Sequence, residues 1–253
     1  MKKLLPGVIL AATFLMSCAH ITAQKTSLLF ISGSHMDQTS WTLVTNELKN
    51  DNFSILPLNR WGRDADKPAH LKLIAENACA QIGNRSIVVA HSFGGATANE
   101  MLGTCPDKIA KIIYVAGLIP MAEETPTAPL VGADQKLYMS AVTLSKDRIT
   151  PKSPIEFANA MDLEFAKNQK SLPAVFPESM LTLGDQLEFS LSAFESVKKY
   201  YVFTSADRII TPSFQKKMAE RAKITNSESI DSGHLPMLSA PKQLAQIIRK
   251  FAQ

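Results

Sequence analysis

The 253-residue sequence has little of what usually betrays a highly charged partner, a metal or a membrane-embedded body. Its formal net charge is only +4, and two of those charges, Lys2 and Lys3, lie in an N-terminal segment that reads as removable, leaving +2. A bias that small gives no electrostatic case for nucleic acid or an anionic membrane surface as a partner. Three cysteines and five histidines are present, with no cluster at metal-ligand spacing, so the sequence offers no Cys/His metal site. There is no internal repeat and no low-complexity tract, which excludes a solenoid or a disordered tail as the main feature. After the N-terminus no second apolar run reaches spanning length. What remains is a chain 45% apolar and 20% charged, the composition of a globular domain long enough to bury a substantial core.

The N-terminus carries the first positive signal. Lys2 and Lys3 precede an apolar stretch from Leu4 to Met16, then small and polar residues, the layout of a secretory signal peptide over residues 1–23. Two processing sites compete. Ile21-Thr22-Ala23 before Gln24 suits ordinary cleavage, whereas Leu15-Met16-Ser17-Cys18 is similar to a lipoprotein box that would place a lipid anchor on Cys18. Either way the expectation is an exported protein, periplasmic or secreted in the first case and membrane-anchored in the second. Cys79 and Cys105 then remain. An oxidising compartment permits a bridge between them, and two isolated buried thiols are the other reading.

From Gln24 onward, short apolar runs alternate with helix-period segments, which predicts a parallel sheet covered by helices on both faces. Expected strands are Ser27 to Ile31, Phe53 to Leu58, Ser86 to Ala90, Lys111 to Ala116, Tyr200 to Thr204 and Ile224 to Ile230. Expected helices are Ser40 to Lys49, Leu71 to Ile82, Gly95 to Leu102, Thr211 to Ala222 and Pro241 to Phe251. Between about residues 118 and 197 the rhythm breaks. No clear strand is legible there, prolines are frequent, and helical pieces are predicted at Ile155 to Asn168 and Gln186 to Phe194. A structureless loop of that length is unusual in a compact domain, so the segment reads as a helical cap inserted into a single domain of residues 24–253. Phe157, Phe165, Phe176, Phe189 and Phe194 of this cap would pack it against the body, some of them lining an apolar pocket.

The most informative segment is Ser86-Ile87-Val88-Val89-Ala90-His91-Ser92-Phe93-Gly94-Gly95. A buried strand runs into a tight turn and a helix, with Ser92 at the turn and small residues two before and two after it. A sharp strand-to-helix turn lifts a serine clear of the sheet, and the helix N-terminus favours negative charge developing beside it. Serine is a weak nucleophile at its free pKa and needs a base that an acid orients. His20 lies in the leader, His70 opens a surface helix, His91 adjoins Ser92 but diverges from it, and His35 follows the first strand. His234, just after the last strand, stands at the carboxyl edge of the sheet where Ser92 also emerges. Asp207, after the strand Tyr200 to Thr204, is the acid at that edge. Asp231 is its rival, three residues from His234 and better placed to shape the turn.

With Ile31-Ser32-Gly33-Ser34 and Gly233-His234-Leu235-Pro236, these segments resemble the α/β-hydrolase superfamily. More closely they are similar to the branch of plant methylesterases, hydroxynitrile lyases and bacterial EstC-like esterases. The resemblance implies a serine carboxylesterase of the α/β-hydrolase fold, with no metal or organic cofactor and a small-molecule ester as substrate. It implies an oxyanion hole from the backbone N–H groups of Phe93 and Ser34. Two departures stand out: the family histidine before Gly33 is Ser32, and the first glycine of the serine turn is Ala90. The lyases carry a lysine directly after the catalytic histidine, and here that position is Leu235, which leans toward hydrolysis. A lyase, peroxidase or amidase on the same three residues, and a binding protein without turnover, are the alternative expectations. In the implied fold the helices bearing Cys79 and Cys105 are neighbours, which makes a disulfide geometrically credible.

Overall fold

Short aliphatic runs set the frame of the structure, a computed structural model describing residues 25–168 and 172–253. The leader, both processing sites and Cys18 lie outside the described residues. The chain opens with β1 (Thr26–Ile31), a 3-10 turn at Gln38–Trp41, α1 (Thr42–Leu48), β2 (Phe53–Pro57), α2 (Leu71–Gln81), β3 (Ser86–His91), α3 (Gly94–Thr104) and β4 (Ile109–Val115). The intervening segment holds α4 (Lys136–Ala141), β5 (Val142–Leu144), β6 (Arg148–Pro151), α5 (Pro154–Met161), α6 (Leu163–Asn168), β7 (Glu178–Ser179) and α7 (Leu191–Ser196). The chain closes with β8 (Lys198–Thr204), α8 (Pro212–Arg221), β9 (Asn226–Ile230), α9 (Pro236–Ser239) and α10 (Pro241–Ala252).

The main sheet has six strands in the order β2-β1-β3-β4-β8-β9, all paired in parallel. Every residue of β3 is buried, as a central parallel strand covered on both faces requires. From β1 the chain steps one way to β2, and every later step runs the other way. Right-handed crossovers then put α1 on one face and α2, α3 and α8 on the other. α10 packs against α1. The order reverses between β1 and β3, and the crevice beyond their carboxyl ends is where ligands bind in open sheets of this kind. Ile31 pairs with Ala90 and His91 with Val115, so the loop after β1 and the turn after β3 emerge side by side.

The segment after β4 differs from the helical insertion expected of it. It carries a second, three-stranded antiparallel sheet, β5-β6-β7, alongside its short helices. Those strands hold three, four and two residues, too few for a two-residue alternation to register. The helix expected over Ile155 to Asn168 is two. Asp162 leaves the helical conformation and its carboxylate accepts from Phe165 N–H at 3.1 Å, capping the second helix. The helix expected from Gln186 begins only at Leu191, where Ser190 caps it through Ala193 N–H. Residue 187 is instead extended, exchanging backbone hydrogen bonds with Glu123 and Glu124. Among the described residues no helix is long and apolar enough to cross a membrane.

α2 and α3 lie side by side, and Cys79 of α2 is joined by a disulfide to Cys105 at the end of α3, with Cα atoms 6.1 Å apart. The bridge closes a loop with a sequence separation of 26. Loop-closure entropy for that length corresponds to about 3.5 kcal/mol of stabilisation. A Cys79→Ala/Cys105→Ala variant is therefore expected to melt roughly 7–14 °C below the oxidised protein in a thermal scan. An unchanged melting temperature would show that the cross-link does not constrain the unfolded chain.

Candidate active site

β3 ends at His91, and Ser92 follows with φ +51°, in the left-handed region that a non-glycine residue enters only under strain. Neighbouring chain holds it there. Ser92 N–H donates to Val115 O at 3.2 Å, and Leu118 N–H donates to Ser92 O at 2.9 Å. The turn is tight enough that a Cβ on Gly95 would lie 2.1 Å from Leu118 O. From the other side, a Cβ on Gly33 would stand 2.7 Å from His91 Nδ1 and 2.8 Å from Ser92 Cβ. Side chains are excluded at these positions because the chain at Leu118 and the loop after β1 both press onto the serine turn.

His234 lies on the loop after β9, and Asp207 on the loop after β8. His234 Nε2 is 2.9 Å from Ser92 Oγ, and His234 Nδ1 is 2.7 Å from Asp207 Oδ2. The side chains of His234 and Asp207 are buried. Asp207 Oδ1 also accepts from Ile209 N–H and Ile210 N–H at 2.8 and 2.9 Å. Oδ2 accepts from Thr204 Oγ1 and Gln215 Nε2 at 3.0 and 3.1 Å. With an acceptor-only partner, Nδ1 of His234 carries the proton and Nε2 faces Ser92 as an acceptor. The rival Asp231 is exposed and accepts from Ser205 Oγ at 3.0 Å, apart from this chain of hydrogen bonds. Two supports hold the His234 backbone: its N–H donates to Met161 O at 2.9 Å, and its carbonyl accepts from His91 Nε2 at 2.8 Å.

Phe93 and Ser34 both line the cavity onto which Ser92 opens. Neither backbone N–H has a protein partner among the described residues. Ser32 turns its hydroxyl to Asp37 O at 2.8 Å and Ser40 Oγ at 3.2 Å. The cavity holds about 130 Å³ and takes much of its wall from the segment between β4 and β8, including Leu130, Gln135, Tyr138 and Phe157. Of the five phenylalanines singled out, Phe157 lines it, Phe165, Phe189 and Phe194 are buried elsewhere, and Phe176 lies under Arg60.

A cluster beside the cavity has no counterpart in the reading of the sequence. Glu178 of β7 accepts through Oε1 from Arg63 Nη2 at 2.6 Å, Arg60 Nη1 at 2.9 Å and His35 N–H at 2.6 Å. Burial alone would raise the Glu178 pKa, but Arg63 and Arg60 outweigh it and hold the carboxyl below its ordinary value. The His35 ring donates from Nδ1 to Phe176 O at 2.9 Å and meets the Tyr138 hydroxyl at 2.8 Å. Gln215, which fixes the acid, was equally invisible in the sequence.

A parallel sheet carrying a strained serine turn, a histidine and a buried aspartate at its carboxyl edge defines a class, the α/β-hydrolases. A sequence profile described as "Alpha/beta hydrolase family" matches residues 28–247, and the chain belongs to that family. It is 27% identical over 186 residues to Methylesterase 7 of Arabidopsis thaliana, covering 67% of this chain and 70% of that one. It is 23% identical over 180 residues to polyneuridine aldehyde esterase of Rauvolfia serpentina, covering 64% and 67%. Among solved structures, a pyrethroid hydrolase from Sphingobium faniae superposes with a TM-score of 0.79 at 17% identity, over 90% of this chain and 97% of that one. These structural likenesses show the fold. The relatives named here are esterases.

The two histidines flanking the site tie stability to pH. Burial is the main cause that lowers the pKa of His35 and lowers that of His91 well below 6.5. His91 is depressed further by the nearby His234 and Arg63. An unfolded histidine takes up a proton near pH 6.5, while the folded one stays neutral to lower pH. Stability is therefore full above about pH 6.5 and falls below it, by up to about 1.4 kcal/mol per pH unit for each histidine. Denaturant titrations between pH 7.5 and 5 are expected to show this loss, with a shallower slope in His91→Gln, whose amide nitrogen can still donate to His234 O. An identical slope in that variant would exclude His91 as a source.

Proposed function

We propose that this protein is an exported serine carboxylesterase that cleaves small esters through Ser92, His234 and Asp207. The observation that carries the proposal is the continuous hydrogen-bonded chain Asp207–His234–Ser92 opening onto a mainly apolar cavity. Ser92 Oγ attacks the ester carbonyl carbon as His234 Nε2 takes its proton. Asp207 keeps the imidazole in the right tautomer and stabilises its cation. The N–H groups of Phe93 and Ser34 receive the oxyanion, a contribution of about 3–4 kcal/mol per donor. The tetrahedral adduct collapses, and the alcohol leaves with the proton from His234. Water then attacks the acyl-enzyme and gives its proton to His234, which returns it to Ser92 Oγ as the acid departs.

The size of the cavity supports small substrates. About 130 Å³ compares with the roughly 150 Å³ hole that holds a benzene ring, so one short chain or a single ring fits. Methylesterase relatives fit the same reading, since a methyl alcohol takes almost no room. Leu235 is buried and lines the cavity directly after His234, leaving no cation there to manage a cyanide leaving group. Hydrolysis is favoured over the lyase alternative on that ground.

p-Nitrophenyl acetate and butyrate are expected to be turned over faster than the decanoate. Ser92→Ala is expected to lower kcat by at least about 10³-fold, and Asp207→Asn, which permits the wrong histidine tautomer, by a comparable factor. Turnover indifferent to Ser92→Ala would end the proposal. Failure of Ser92 to label with a fluorophosphonate would point to a ligand-binding homologue.

Export rests on the leader composition alone, and the intact mass of the protein purified from its own cells tests it. A chain beginning at Gln24, or a lipidated Cys18 at the new N-terminus, is the expected result. A cytosolic chain retaining residues 1–23 would remove export from the proposal.

A further inference from the structure

Arg63 and Glu178 form a buried ion pair with a 2.6 Å contact, and the acyl-transfer steps above do not use either residue. Apart from a second contact of Glu178, with Arg60 Nη1 at 2.9 Å, the other hydrogen bonds of these two side chains converge on one short stretch of backbone. Arg63 Nη1 donates to Ser32 O at 2.8 Å and Nη2 to Gly33 O at 2.6 Å. Glu178 Oε1 accepts from His35 N–H at 2.6 Å. Ser34 sits between these contacts. The peptide unit before it is gripped at its carbonyl by the cation, and the unit after it is gripped at its N–H by the anion.

The geometry of a peptide makes that grip directional. In a trans unit the C=O and N–H point in opposite senses, and no cis bond occurs among the described residues. Wherever Arg63 holds Gly33 O, Ser34 N–H must point the other way. The guanidinium is a rigid planar fork, so its two contacts at Ser32 and Gly33 fix the plane as well as the position. A cation on the carbonyl also polarises the amide and strengthens its N–H as a donor.

The loop needs such a restraint. His35 has φ +65°, a strained value for a non-glycine residue. Ser32, just before Gly33, has its hydroxyl turned to Asp37 O and Ser40 Oγ.

We propose that the Arg63–Glu178 pair is a clamp that aims and polarises the Ser34 N–H as the second oxyanion donor. This rests on the acyl-transfer reading above. Arg63 belongs to the loop after β2, whereas Glu178 belongs to β7 of the segment over the cavity. Seating that segment and completing the oxyanion site are therefore one event. Backbone contacts reinforce the joint, with Ser179 N–H donating to Arg63 O at 3.2 Å and Asp64 bridging to Glu178. Arg63 and Glu178 act as positioning residues, since neither touches the reacting atoms.

The test uses Arg63→Lys and Glu178→Gln in the whole mature protein. A lysine keeps the charge but cannot span both carbonyls, and glutamine keeps the shape but lacks the anion. Wild type and Ser92→Ala are compared first on p-nitrophenyl acetate, which decides the acyl-transfer reading independently. Then kcat, KM and the inhibition constant of an aliphatic trifluoromethyl ketone, whose Ser92 adduct carries an oxyanion, are measured for both variants. The expected result is a roughly 10- to 100-fold fall in kcat with KM within about threefold, and an inhibition constant that rises by the same factor as kcat falls. Folded variants with unchanged kcat and inhibition constant would overturn the clamp while leaving Ser92-dependent hydrolysis intact. A fall in kcat without weaker binding of the ketone would overturn it as well, because a merely structural role would not discriminate in favour of the oxyanion. Should Arg63→Lys fail to fold, Glu178→Gln decides by the same two measurements.

Discussion

Ser92 can face the cavity only because its backbone is kept in a left-handed conformation that costs on the order of 1–3 kcal/mol. The structure around it is organised to keep that strain from relaxing. Hydrogen bonds to Val115 and Leu118 tie the turn to β4 and the chain beyond it, while glycines at 33, 94 and 95 let two stretches of backbone, the end of β1 with its loop and the chain at Leu118, close on it. None of this is possible unless β3 is central. A buried parallel strand gives the turn rigid neighbours on both sides, and the reversal of strand order beside it leaves open the crevice that the serine enters.

The same crowding governs the polar groups. Five donors converge on Asp207, and an ion pair with a second arginine surrounds Glu178, so neither carboxylate is buried without partners. Two imidazoles nearby remain neutral and serve as struts. His91 props the carbonyl of His234, and His35 joins Phe176 to Tyr138. Polar networks of this kind specify geometry more than they stabilise, because a buried group missing its partner is expensive.

The parts legible in the sequence were those written over consecutive residues. The run Ser86 to His91 followed by small residues reads as a buried strand entering a tight turn, and the other main strands follow from apolar runs except β9, an edge strand whose residues Asn226–Ile230 hold a single apolar side chain. The position of His234 and Asp207 at one rim came from chain order combined with parallel topology. What escaped was written across long separations or in too few residues. Nothing local marks Arg63, because its partner lies 115 positions away. Gln215 sat unremarked in an amphipathic helix. In the segment above the cavity, Phe157, Met161 and Phe165 keep a four-residue stripe straight through the break at Asp162, so periodicity alone merges two helices into one. Strands of two to four residues carry no period at all.

The walls of the cavity and the hydrogen-bonded chain of Ser92, His234 and Asp207 come from different stretches of sequence. Ser92, Asp207 and His234 hang from the main sheet, while Gln135, Tyr138, Ile149 and Thr182 belong to the segment lying over it. Descendants of this gene can therefore change diet by drift in the overlying walls without disturbing the machinery beneath. Gly132 has nothing within 4 Å of a would-be side chain, yet its φ of +83° strains any replacement, whereas Gly33 is closed by the serine turn packed against it. Position 178 breaks the division of labour. Although it sits in the segment that supplies the walls, its carboxylate is bound to Arg63 and His35 of the body, so a replacement there reaches beyond the wall.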